Sequence, residues 1–223
     1  MKRVALGVVV AAVVVAGVSG CGVDKERRDV GYEVGGMVRV LVVDSGTGDV
    51  RVTGGGTAVA VTERQEWSGR QPEARHELVD GELTLSYRCP DGDCSVGYEV
   101  KVPAGTQVRV KAGTGDVALT GLTGQLWAEA ATGGVRAERI GAQKVELKAG
   151  TGDVSAAFAV APEEVKATAG TGTVRLELPK GEEYAVDAKA VTGAVRVDVP
   201  QRTAAERKVV ARAGTGDVTV GVG

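Results

Sequence analysis

Short runs in which apolar and charged residues alternate recur along the chain, as in 135–139, 174–178 and 195–199. Successive side chains of a strand point to opposite faces, so each run predicts a β-strand with one apolar and one charged face. Each run follows a Thr-Gly-x-Val element, and that element occurs seven times, with its threonines at Thr47, Thr114, Thr132, Thr151, Thr171, Thr192 and Thr215. From Thr114 onward the steps are 18, 19, 20, 21 and 23 residues, whereas Thr47 and Thr114 stand 67 apart. The alternation also runs backward from the threonine. Ala112, Ala130, Ala149, Ala169, Ala190 and Ala213 lie two residues before it. Val110, Ala128, Leu147, Ala167, Ala188 and Ala211 lie two earlier still. One repeat is therefore strand, glycine corner, strand and a looser connection, and the alanine column marks a place too tight for larger groups.

A two-strand unit cannot bury its own apolar face, but stacked copies share a continuous core. The expected fold is all-β: a single-domain β-solenoid of about 20-residue repeats, with a hairpin-containing N-terminal part between Val50 and Ala112. At one strand spacing per repeat, seven corners would span roughly 30–35 Å. An antiparallel sandwich is the alternative, though it explains the aligned alanines less well.

The beginning of the chain has a different texture. Lys2 and Arg3 precede an apolar run from Val4 to Val18, the layout of a secretory signal and short for a permanent membrane span. The run ends in Val18-Ser19-Gly20-Cys21, which resembles the lipobox of bacterial lipoproteins. That resemblance implies cleavage before Cys21, lipid on its sulfur and anchoring at the extracytoplasmic face of the bacterial cell membrane. The expected division is a signal peptide over 1–20, a lipidated N-terminus and tether over 21–37, and a repeat domain over 38–223. Beyond the signal, 25 basic residues face 29 acidic ones, a balance without the basic stripe that nucleic-acid binding needs. Aromatic residues are 3% of the chain, so the core must be thin and built from Val, Ala and Leu.

Gly-Thr-Gly-Asp-Val stands at 46–50, 113–117, 150–154 and 214–218, with Gly-Thr-Gly-Thr-Val at 170–174. In these motifs the chain is similar to the bacterial putative-adhesin family of β-strand-repeat proteins, a domain of unknown function. The resemblance covers most of 38–223, implies a β-helical fold at a surface location, and brings no catalytic residues.

Candidate chemistry is sparse. The corner residues Gly48, Asp49, Gly115, Asp116, Gly133, Gly152, Asp153, Gly172, Gly193, Gly216 and Asp217 read as structural, the aspartates bonding backbone amides. Calcium ligation is the competing reading, but Gly134, Thr173 and Ala194 interrupt the acidic column. Glu138, Glu177 and Asp198 share an outward column, each two residues after Arg136, Arg175 or Arg196, which suggests surface ion-pair rows rather than a glycosidase pair. Trp127 is either an outward ligand contact or a ring under a loop. Cys89 and Cys94 enclose Pro-Asp-Gly-Asp and are expected to form a disulfide stapling a hairpin. His76 is the only histidine, no nucleophile or phosphate-loop pattern accompanies it, and neither metal nor cofactor is expected.

The expected role is thus non-catalytic: a lipid-anchored surface for an envelope protein or cell-wall polysaccharide. A carbohydrate-active β-helix and an accessory of an envelope-stress system are the alternatives. Val218 to Val222 is the strand expected to lie bare at the end of the stack and to allow self-association.

Overall fold

The alternating runs become strands throughout the computed structural model, which describes residues 25–223. Cys21, its lipidation and the signal segment lie outside the described residues. The first part of the chain contributes β1 (Glu26–Val34), β2 (Val40–Thr47), β3 (Val50–Gly54), β4 (Val59–Trp67), β5 (Glu73–Val79), β6 (Glu82–Arg88) and β7 (Cys94–Val102). The regular array supplies β8 (Gln107–Thr114), β9 (Val117–Thr120), β10 (Leu126–Thr132), β11 (Val135–Ile140), β12 (Lys144–Thr151) and β13 (Val154–Phe158). It continues with β14 (Glu164–Thr171), β15 (Val174–Leu178), β16 (Ala185–Thr192), β17 (Val195–Val197), β18 (Lys208–Thr215) and β19 (Val218–Val222).

These strands form two sheets, one of ten strands and one of nine. The strand before each corner lies in the nine-stranded sheet and the strand after it in the ten-stranded sheet, so each repeat is an arch. Neighbouring arches pair parallel and in register: Thr132 stands between Thr114 and Thr151, and Val135 between Val117 and Val154. The ladder continues around the bend, with the Gly152 amide donating to the Thr171 carbonyl at 2.8 Å and the Val154 amide to the Thr173 carbonyl at 2.9 Å. Pairing around the bend meets the demand that buried backbone makes for partners. The inward columns are closed to solvent at Leu119, Leu147, Leu176 and Leu178. Ala112, Ala130, Ala149, Ala169 and Ala213 are buried beside the corners, where the sheets converge and only a methyl group fits.

The stacking order departs from chain order at both ends. The arch of β18 and β19 lies between that of β14 and β15 and that of β16 and β17. β19 is therefore paired with β15 along its length and with β17 over Val218–Val220, and is not the bare terminal strand expected from its place in the chain. The outermost arch is β16 and β17.

At the other end the segment between β3 and β8 caps the Thr47 arch. β6 pairs with β2 and β7 with β3, both parallel, so together they make one more arch without a Thr-Gly corner. β5 and β6 are the expected hairpin, turning at Asp80-Gly81, and β4 and β1 extend the ten-stranded sheet antiparallel. Within 21–37, expected as a lipidated N-terminus and tether, residues 26–34 form a strand. The first residues of this strand are charged and exposed and are held by backbone pairing with β4, while Tyr32 and Val34 near its end are buried in the core; the edge charges protect it from stray pairing.

Cys89 and Cys94 are bonded, with Cα atoms 5.6 Å apart. The disulfide spans the bend between β6 and β7, which belong to different sheets, and so it staples an arch, not a hairpin. It takes the place of the missing glycine corner. Replacing both cysteines by serine is expected to lower stability by about 2 kcal/mol, the loop-closure value for so short a ring. The urea midpoints of parent and variant check this.

Candidate functional site

The corners come first, because they order everything around them. Asp49 Oδ1 accepts from the Asp116 amide at 3.0 Å and Asp116 Oδ1 from the Gly134 amide at 2.7 Å. Asp153 Oδ1 accepts from the Thr173 amide at 2.7 Å and Asp217 Oδ1 from the Ala194 amide at 2.8 Å. Each aspartate thus ties its arch to the next one in the stack. Among the described residues no group of three or more His, Cys, Asp or Glu could hold a metal ion. At the first corner, where no glycine corner lies on the outer side to bond the Thr47 carbonyl, Tyr87 bonds the Thr47 backbone instead. Its hydroxyl accepts from the Thr47 amide and donates to the Thr47 carbonyl at 2.7 Å. No pattern in the chain singles out Tyr87, which acts only through this fold.

The outer face of the ten-stranded sheet carries the candidate binding surface. Strand pairing sets one column as Arg51, Ala118, Arg136, Ser155, Arg175, Thr219 and Arg196. The second begins with Thr53, Thr120 and Glu138, resumes beyond a register shift in β11 with Ala157, Glu177 and Gly221, and ends at Asp198, whose amide donates to the Val220 carbonyl. Large charged residues alternate with small ones. The three acids expected on one outward column do not stand side by side: Ala157 lies between Glu138 and Glu177, and Gly221 between Glu177 and Asp198. The charged ridges stand roughly 9.6 Å apart, two strand spacings. Arg136 faces Glu138 at 3.8 Å and Arg196 bonds Asp198, whereas Arg175 has no salt bridge among the described residues. Bonding to Asp198 holds the Arg196 guanidinium above its ordinary value. Between the Arg136 and Arg175 ridges runs an open groove of about 400 Å³ floored by Ser155 and Ala157 and edged by Asp153 and Thr173. It offers guanidinium, carboxylate and hydroxyl groups along one line.

Trp127 lies half-buried on the outer face of the nine-stranded sheet, with Arg109 and Glu146 as its strand neighbours. The alternative of a covering loop is not realised, since the ring belongs to a shallow depression made only by strand and strand-end residues. Glu146 is held by Lys166 at 2.9 Å. Trp67 is buried at the end of β4 opposite Cys94.

A polar cluster that the sequence did not announce sits inside the capping end. Glu63 and Gln65 point inward from β4, 3% and 4% exposed. The Tyr32 hydroxyl donates to Glu63 Oε1 at 2.8 Å, Gln65 Nε2 to Glu63 Oε2 at 2.9 Å, and Gln71 Nε2 to Gln65 Oε1 at 2.9 Å. His76 stacks on Tyr32 with centroids 4.7 Å apart. Burial, and next the Glu63 charge, pushes the phenols of Tyr32 and Tyr98 well above their usual 10.0. The folded chain keeps these protons at a pH where the unfolded chain releases them, so stability is full below about pH 10 and falls as pH rises beyond it. Denaturation midpoints followed between about pH 8 and 11 should show that fall. Replacing both tyrosines by phenylalanine should flatten it.

Comparison with known proteins follows the same architecture. No curated protein matches the chain in sequence. A "putative cell adhesion protein" from Clostridium sporogenes aligns with a TM-score of 0.52 at 15% identity, over 89% of this chain and 100% of its own. A "putative adhesin" from Bacteroides fragilis aligns with a TM-score of 0.52 at 16% identity, over 88% of this chain and 96% of its own. At such identity the likeness is one of fold. The Toastrack DUF4097 model matches residues 38–223, nearly the whole of the described array, and the chain belongs to that family.

Proposed function

We propose that this chain is a non-catalytic module of the bacterial cell envelope, wound as a β-solenoid and anchored through lipid on Cys21. It presents the ridged outer face of its ten-stranded sheet to an envelope protein or a cell-wall polysaccharide. The observation that carries this reading is the two-strand alternation of Arg–acid ridges with small residues, which builds a groove open along its length. An enzyme acting on a glycan would need a pair of carboxylates set to work on one bond, whereas here Glu138 and Asp198 are engaged by Arg136 and Arg196. The names of the two solved relatives, both described as adhesion proteins, favour a surface role as well. β1 lies at one end of the stack and β16 at the other, so an anchor preceding β1 leaves the ridges and the far end projecting from the membrane. Half-exposed Trp127 favours a second reading, in which the opposite face contributes a ring to sugar binding.

The test places a photo-crosslinking residue at Ser155, in the groove, or at Thr84, on the other sheet, in the intact chain on cells. Captured species are sorted by protease and muramidase digestion. Adducts specific to Ser155 that vanish in Arg136→Ser/Arg175→Ser are expected, and identical capture at both positions would sink the reading. Incorporation of labelled fatty acid by the parent and its loss in Cys21→Ser checks the anchor separately.

A further inference from the structure

The two ends of the stack are finished differently. At the capping end, the free strand of the ten-stranded sheet is β1, whose outer stretch Glu26, Arg27, Arg28 and Asp29 is charged and exposed, the usual protection of an edge. At the other end the charges Asp187, Lys189, Arg196 and Asp198 stand only at alternate, outward positions, and the inward positions between them are apolar. The columns that are sealed one arch earlier, at Val209, Ala211, Ala213, Val218 and Val220, are continued by Val186, Ala188 and Ala190, only half-buried, and by Val195 at 46% exposure. Val191 beside them is 78% exposed. The core simply stops there.

The backbone of this edge is free as well. The Ala185 amide donates inward to the Arg207 carbonyl, and the Asp198 amide to the Val220 carbonyl. Alternate residues of a parallel strand face the same neighbour, so Val186, Ala188 and Ala190, and likewise Val195 and Val197, turn their N–H and C=O groups to the open side. The segment around Gln201 occupies the edge only beside Tyr184, which limits the free stretch of β16 to 186–190.

The charges flanking this stretch are self-complementary. Asp187 and Lys189 stand on either side of Ala188; Arg196 and Asp198 stand on either side of Val197. Antiparallel pairing of β16 with a second β16 about Ala188 places each Asp187 opposite a Lys189 and each Val186 opposite an Ala190. The same two-fold axis, passing through the sheet beneath, places each Arg196 opposite an Asp198. Centring the pair on Asp187 or on Lys189 instead would set like charges face to face, which disfavours those registers. We infer that a second copy of this chain docks head to head on the β16–β17 edge, the two-fold axis running through Ala188 and Val197, so that both sheets continue across the contact.

Such a pair brings the two Ala188 Cα atoms to about 5.5 Å, the hydrogen-bonded antiparallel spacing, inside the window that a disulfide spans. The experiment uses the full chain, solubilised from its membrane in mild detergent and oxidised with copper phenanthroline. Ala188→Cys should shift to twice its mass on a non-reducing gel, while Val79→Cys, on β5 at the far end, should not. Arg196→Asp, introduced beside Ala188→Cys, sets acids opposite acids and should lower dimer affinity about tenfold or more. The exchange Arg196→Asp/Asp198→Arg keeps the pair within one copy and restores the pair between copies, so the dimer should return. Equal crosslinking at both cysteine positions, crosslinking at Ala190→Cys in place of Ala188→Cys, or indifference to the charge variants would overturn the inference. A ladder of species beyond the dimer would overturn it too, because a closed two-fold contact stops at two. None of these outcomes depends on what the ridged face binds.

Discussion

Gly152→Ala is expected to cost roughly 3–5 kcal/mol, as much as the loss of a large core side chain. Two effects combine at this corner. The backbone is held at a φ of 138°, where an L side chain is strained. A Cβ there would also stand 2.2 Å from the Gly133 carbonyl oxygen of the neighbouring arch, a contact that backbone, unlike a side chain, cannot yield. The same conflict recurs at Gly115, 2.4 Å from the Gly48 oxygen, so the corner glycines are fixed by stacking as much as by dihedral angle. Gly181 separates the two causes. Its φ is 86°, but a methyl group added there would meet nothing within 4 Å, so Gly181→Ala should cost only about 1–2 kcal/mol. Urea denaturation of the two variants beside the parent chain measures the difference. Equal losses would show that stacking adds nothing.

Leu147→Ala is expected to cost about 3–5 kcal/mol, at the upper end for such truncations. Leu147 is fully buried, and its partners in the column are Ala128 and Ala167. It is the one large side chain filling a stretch of that column otherwise lined by methyl groups. Deleting it would leave alanine beside alanine across successive arches, and strands locked in register on both sides cannot move in to close the void. Lys166→Ala, on the exposed face, removes only a surface ion pair and should cost under about 1 kcal/mol. Denaturation midpoints with unchanged slopes check both, since a changed slope would mean an altered unfolded or native state.

Much of this architecture can be read from the chain because the repeat states it several times over. The alanine column, the glycine corners and the alternation each specify which face is buried, and they agree. What the repeat cannot state is adjacency. The Thr192 and Thr215 arches present the same apolar columns and the same corner, so either could lie against the Thr171 arch. Order is decided instead by the connections between arches, whose chemistry is irregular. The arch of β6 and β7 is hidden for a related reason: its corner is a disulfide loop, so a search for Thr-Gly passes over it. Glu177 and Asp198 are parted by the exchange of the last two arches, which sets β19 with its Gly221 between them. Tyr32, Glu63 and Gln65 become a cluster only when β1 and β4 pair, and nothing within either strand foretells that.

The position of β19 between β15 and β17 has a consequence for how the molecule is completed. The arch of β16 and β17 touches the rest of the stack through β18 and β19, which are made after it. As the chain emerges, that arch can reach its final neighbours only when β18 and β19 have followed it. A chain interrupted before Lys208 would therefore lack one arch and deprive a second of its native partners β18 and β19, leaving the 185–197 segment open to proteases. The fold closes like a keystone course, and an incomplete copy is marked for removal by its own unfinished end.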